Sequence, residues 1–221
     1  MNVVNDIPFR IDEAAVKRLT RLDNLAEVRG LLDRVQAAAK PKAAYKVCYI
    51  DRRSAEKVEI EGRVFTSAVL AQNLEEVERV FPYVATCGTE LEPLEDAAAD
   101  LFTRYCLDVL KELALAAARA HLLEHLRIAY GASGLSSMNP GSGDARLWPL
   151  GQQRPLFDLL GNVEQAIGVR LTPSLLMQPN KSISGIFFPS EQHFESCQLC
   201  TREDCPRRRA PYSGERIAAH P

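Results

Sequence analysis

The chain lacks any apolar run approaching the ~20 residues of a membrane span. Its longest, around Leu113 to Ala120, is alanine-rich and interrupted by Arg119. The first residues, MNVVNDIPFRIDE, carry no apolar core of the secretory kind, so a cytoplasmic protein is expected. Basic charge is also missing: the formal net charge is −2, which is no footprint for nucleic acid, whose binders present a basic face. No internal repeat is present. In a reducing compartment structural disulfides are not expected, although the chain holds six cysteines. What remains is ordinary for a globular protein, with 46% hydrophobic and 25% charged residues among 221.

Periodicity supplies the elements. Leu19, Leu22, Leu25, Val28, Leu31, Leu32 and Val35 recur at three- and four-residue steps, which predicts a helix over 11–38 with Asp12 as its cap and Pro41 beyond its end. Residues 45–51 and 56–65 alternate apolar and polar as half-buried strands do, and Thr66 or Ser67 caps a short helix. Residues 81–88 read as a buried strand ending in glycine. Residues 94–129, rich in alanine and leucine and free of glycine and proline, read as one long helix. On it, Tyr105 is expected in the core and Asp108 in a structural hydrogen bond. Residues 130–151 read as a long irregular loop, of the kind that often carries function. Residues 153–166 read as a helix, and 169–188 as two strands joined at Pro179–Asn180. Strands in hairpin-like pairs mixed with helices indicate an α+β domain with a largely antiparallel sheet. The expected organisation is a helical segment at 1–42, a core at 43–190 and a cysteine-rich basic tail at 191–221.

The cysteines divide into two groups. Cys48 and Cys106 read as buried small hydrophobes, and Cys87 precedes a glycine at a strand end. Cys197, Cys200 and Cys205 fall in a C-x-x-C-x-x-x-x-C array, whose close spacing suits one metal ion or cluster. Iron–sulfur clusters and zinc both use such arrays. A fourth ligand could come from His193, Cys87, Cys48, a small molecule or a partner. Arg207, Arg208 and Arg209 either offset thiolate charge or form a solvated tail.

An ordered string of motifs carries a family resemblance. Pro140–Gly141 opens a polar loop. Then follow Leu156-Phe157-Asp158-Leu159-Leu160, Gly168-Val169-Arg170-Leu171-Thr172, Met177-x-Pro179 and Ser182-x-Ser184-Gly185. This string resembles the activation domain of cobalamin-dependent methionine synthase, with its RPxPGY-type loop, short helix, LTES-type strand and SxSG strand. It covers about residues 45–190. The resemblance implies a C-shaped domain with a central antiparallel sheet, flanking helices and one long helix. It also implies binding of S-adenosylmethionine beside a corrinoid. There an electron reduces cob(II)alamin and the S-adenosylmethionine methyl group traps it as methylcobalamin. The cobalamin would be presented by a partner, either a corrinoid protein or a truncated methionine synthase, with a separate electron donor.

The residues this assigns to the ligand are Asn139, Pro140, Gly141, Ser142, Gly143, Asp144, Arg146 and Trp148 in the loop, and Ser182, Ser184 and Gly185 in the strand. Glycine and proline let backbone amides approach a ligand. Asp144 and Arg146 offer charge, and Trp148 either stacks on a flat ligand or packs beneath the loop. The family loop carries an arginine where this chain has Ser137 and a tyrosine where it has Ser142. No residue is an evident general acid or base, so the chemistry would be the cofactor's. Two other readings use the tail: an iron–sulfur electron-transfer activator of a corrinoid protein that does not bind S-adenosylmethionine, and a binding module stapled by zinc.

Overall fold

The structure is a computed structural model that describes residues 1–132, 134–143, 146–191, 194–202, 204–205 and 208–213. Asp144, His193 and Arg207 lie outside the described residues.

The helix expected over 11–38 is two. After strand β1 (Asn2–Val4), α1 (Glu13–Thr20) starts where Asp12 accepts from the Ala14 amide at 2.9 Å, and it ends at Arg21 in the left-handed region. Asn24 then captures the Ala26 amide at 2.9 Å. Such side chains compete with the helix for backbone donors. The pattern resumes in a short 3-10 turn and α2 (Arg29–Ala38). Leu25, Val28, Leu31, Leu32 and Val35 are all buried in one core, so the periodicity outlasts the break.

Strands β2 (Lys42–Tyr45), β3 (Cys48–Arg53), β4 (Lys57–Ile60) and β5 (Arg63–Thr66) follow. The expected strand 56–65 is therefore a hairpin. Glu61 and Gly62 both have positive φ, the backbone a two-residue hairpin turn needs. Ser67 caps α3 (Ala68–Asn73), accepting from the Leu70 amide at 3.0 Å. Next come β6 (Arg79–Thr86), the short α4 (Glu92–Asp96) and the long α5 (Leu101–Tyr130). The helix expected from 94 is interrupted at 97–100, because Asp100 turns extended and takes the Thr103 amide at 2.8 Å as a new cap. Tyr105, expected in the core, is 48% exposed, with its hydroxyl donating to the Leu19 carbonyl at 2.9 Å.

The loop expected over 130–151 contains a strand, β7 (Leu135–Met138). The helix expected over 153–166 is divided at Gly161 into α6 (Gln153–Leu160) and α7 (Val163–Ile167). Strands β8 (Arg170–Leu171) and β9 (Met177–Gln178) pair with each other, and β10 (Ser182–Pro189) joins the main sheet.

Among the described residues eight strands form one sheet, every pair antiparallel. Strand β6 lies at its centre. Along one edge β6 pairs with β2, which carries β1, and with β3, which leads to β4 and β5. Along the other it pairs with β10, which carries β7. Helices α1, α2 and α5 cover one face and share a core with Ile7, Tyr83 and Phe187. Residues α6 and α7 contribute meet Trp148, Phe65 and Ile186 in a second core on the opposite face, which also takes Phe194 and Leu199 from the tail. Residues of the N-terminal segment, and Phe194 and Leu199 of the tail, are thus built into the cores of the α+β domain. No helix among the described residues is long and apolar enough to cross a membrane.

Candidate functional site

The candidate loop begins where β7 ends beside β10. Gly185 stands next to Asn139, and a Cβ at that glycine would overlap the Asn139 side-chain nitrogen and the Met138 carbonyl. The missing side chain lets the Asn139 amide lie across the strand. There its Nδ2 donates to the Tyr83 hydroxyl and to the Ser184 carbonyl, each at 2.8 Å. Asn139 is 3% exposed, yet its Oδ1 has no partner. Buried acceptors in folded proteins are rarely left so.

The loop then closes on itself. The Gly141 amide donates to the Trp148 carbonyl at 2.8 Å and the Ser142 amide to the Asn139 carbonyl at 3.1 Å. Gly141 and Gly143 both have positive φ, which glycine adopts without strain. Gly143 lies against the Ser196 carbonyl and Cys200, so the loop touches the tail. Pro140 is buried and Arg146 exposed. Trp148 is 2% exposed and packs edge-on against Phe65 with ring centroids 6.2 Å apart. Its indole belongs to the core beneath the loop, and its faces are covered.

The strand residues separate. Successive side chains of a strand point to opposite faces, so Ser184 faces away from the Asn139 side. Its hydroxyl is buried without a partner. Ser182, at the start of β10, donates to Thr86 Oγ1 at 2.9 Å and to the Pro179 carbonyl at 2.8 Å. Of the assigned residues, the structure brings Asn139, the 140–143 turn and Gly185 together and ties the Ser184 and Trp148 carbonyls to them, whereas the Ser182 side chain and the Trp148 indole lie elsewhere.

Four residues that the motifs did not single out, Arg119, Tyr83, Phe187 and Glu195, complete this corner. Arg119 reaches over from α5, with its guanidinium 5.5 Å from the Phe187 ring centroid. Phe187 in turn stacks on Tyr83 at 4.1 Å. Arg119 donates through one terminal nitrogen to Ser137 Oγ at 2.8 Å and to Glu195 Oε1 at 3.3 Å, while its buried Nε has no partner. Burial opposes the charge on Arg119, but neighbouring Tyr83 and Glu195 outweigh it, and the pKa is raised above its usual value. The Arg119 guanidinium from the long helix thus lies against Ser137, the position where the loop of the resembled family carries an arginine. The signal was present in the sequence: Arg119 is the charge that interrupts the Leu113–Ala120 run.

Glu195 comes from the tail. It is 5% exposed and also forms an ion pair with Arg209, whose Nε lies 2.9 Å from its Oε2. Its segment lies along β7: residue 195 forms a parallel bridge with Ser137, and the Phe194 amide donates to Ser136 Oγ at 2.7 Å.

Asp108 pairs with Lys181 at 2.8 Å, as its structural reading anticipated. Lys111, 1% exposed, pairs with Glu95 at 2.5 Å. Burial pushes the Cys48 thiol up to about 12 and the Cys87 thiol up to about 11, and raises Cys106 as well. In the tail, Arg208 donates to the carbonyls of Cys197 (2.9 Å), Cys200 (2.9 Å), Arg202 (2.6 Å) and Ala210 (3.1 Å). The Arg209 amide approaches Cys197 Sγ at 3.4 Å. Cys197, Cys200 and Cys205 are free and half-buried. Among the described residues no three His, Cys, Asp or Glu side chains are gathered to hold a metal.

No family model matches this sequence, and no curated protein does. Among solved structures the chain is similar to the crystal structure of the MetH reactivation domain bound to AdoHcy. The TM-score is 0.59 at 17% identity, covering 85% of this chain and 70% of that one. At this identity the likeness establishes the fold. The antiparallel sheet with its long helix is the reactivation-domain architecture.

Proposed function

We propose that this chain is a reactivation module for a corrinoid protein and binds S-adenosylmethionine at the corner formed by the 139–143 turn, Arg119 and Gly185. The observation that carries the reading is the pair of buried, unpartnered atoms there, Arg119 Nε and Asn139 Oδ1, in a fold of which one solved structure holds AdoHcy. S-adenosylhomocysteine is what S-adenosylmethionine becomes on losing its methyl group. An amino-acid ligand with a purine and a ribose needs a cation for its carboxylate, an acceptor for its donors and close backbone approach. Arg119, Asn139 and the two positive-φ glycines offer these in turn.

The corrinoid belongs to a partner polypeptide, a corrinoid protein or a truncated methionine synthase. One electron from a separate donor and the methyl group of S-adenosylmethionine together convert cob(II)alamin to methylcobalamin, leaving S-adenosylhomocysteine. This chain's own part is to hold the methyl donor in position and exclude water. Calorimetric titration of anaerobically purified protein tests the reading. Saturable S-adenosylmethionine binding, competed by S-adenosylhomocysteine, is the expected result. A brown, iron-containing sample with no affinity for either would move the account to iron–sulfur electron transfer through the cysteine tail.

A further inference from the structure

We propose that Arg119 and Arg209 form a carboxylate seat and that Glu195 occupies it from within the chain, competing with the carboxylate of the ligand. This rests on the S-adenosylmethionine reading above and adds to it a built-in competitor.

Three observations on the corner support it. Among the described residues two guanidiniums, those of Arg119 and Arg209, converge on the Glu195 carboxylate in a largely buried place. Burying a charge is costly unless it is paired, which favours the entry of a second anion. Secondly, Arg119 is underused. A guanidinium paired with its dedicated carboxylate usually donates through two nitrogens in parallel. Here one nitrogen serves both Ser137 and Glu195, the contact with Glu195 is 3.3 Å, and Nε is unpartnered. Thirdly, the Glu195 carboxylate is closer to Arg209, at 2.9 Å, than to Arg119. It can leave Arg119 and keep a cationic partner. Phe194 and Leu199, seated in the second core, hold the segment in place meanwhile. A ligand carboxylate arriving at Arg119 therefore displaces a side chain and leaves the strap where it is.

The test compares S-adenosylmethionine with its decarboxylated analogue, which keeps the sulfonium, ribose and adenine. Both are titrated into full-length wild type, Glu195→Gln and Arg119→Met, with thermal melts to establish folding. The glutamine keeps the size and the acceptor oxygen of Glu195 while removing its charge. Glu195→Gln is expected to bind S-adenosylmethionine several-fold more tightly and the analogue unchanged. Arg119→Met is expected to lose at least about tenfold for S-adenosylmethionine and little for the analogue. If Arg119→Met does not fold, Arg119→Lys, which keeps the charge and loses the fork, shows the same selective loss in smaller measure. Equal effects on both ligands, or no gain in Glu195→Gln, overturn the competitor and leave the S-adenosylmethionine reading standing. Absence of binding by all the proteins removes that reading and the inference with it.

Discussion

Gly185 and Asn139 meet because one has no side chain and the other needs somewhere to place its amide. Replacing Gly185 with alanine puts a methyl group into the Asn139 side chain and the Met138 carbonyl. Overpacking of this kind costs about 1–3 kcal/mol. Gly185→Ala is therefore expected to lower the urea midpoint and to weaken S-adenosylmethionine binding; an unchanged midpoint would mean that the amide is not held as described. The cysteines give a second residue-scale expectation. Cys48, Cys87 and Cys106 are buried with raised pKa values, whereas the tail thiols are half-buried. Under native conditions near pH 8, a thiol reagent should label Cys197, Cys200 and Cys205 rapidly and the other three only on unfolding. Because the buried thiols ionise later in the folded chain than in the unfolded one, they contribute stability that is intact below about pH 9. That contribution is lost as pH rises through about 11 to 12. Denaturant melts across this range check the sign. At this scale the sequence was partly legible. The loop glycines and Asn139 stood out in their motif. Arg119 stood out only as a lone charge in an apolar run, since its partner Glu195 is 76 residues away and periodicity carries no information about such pairs.

Helix α5 places Arg119 over the sheet, and its start is set by Asp100 rather than by any change in helix propensity. Asp100→Ala removes a cap that holds the Thr103 amide at 2.8 Å and the Thr103 hydroxyl at 2.7 Å. A loss of about 1 kcal/mol is expected in equilibrium unfolding, and a variant as stable as wild type would contradict the cap. The same element shows why boundaries were misplaced. Residues 94–129 are rich in alanine and leucine and hold neither glycine nor proline, so a break made by one aspartate is invisible to pattern alone. Strand β7 was missed for the opposite reason. Its LSSM sequence has no period and ordinary loop composition, and it is a strand because β10 on one side and the tail on the other satisfy its backbone and serines. The hairpin at Glu61–Gly62 was hidden inside an alternation that continues on both sides of the turn.

For the whole molecule, one antiparallel sheet separates two cores, and the candidate site sits where β7, β10 and α5 meet under the returning tail. The class of fold was readable from motif order, because the loop, short helix and two strands follow each other as in the family the chain resembles, and the likeness to the MetH reactivation domain agrees. The tail's position over Ser136 and Ser137 was not readable, since it depends on where the chain returns after β10. The most direct test of the account is an anaerobic assay. A corrinoid-binding domain loaded with cob(II)alamin receives a one-electron reductant and S-adenosylmethionine labelled in its methyl group, with and without this protein. The account predicts that labelled methylcobalamin and S-adenosylhomocysteine form together in equal amounts, at a rate that rises with the amount of this protein. Conversion at the same rate in its absence would contradict it.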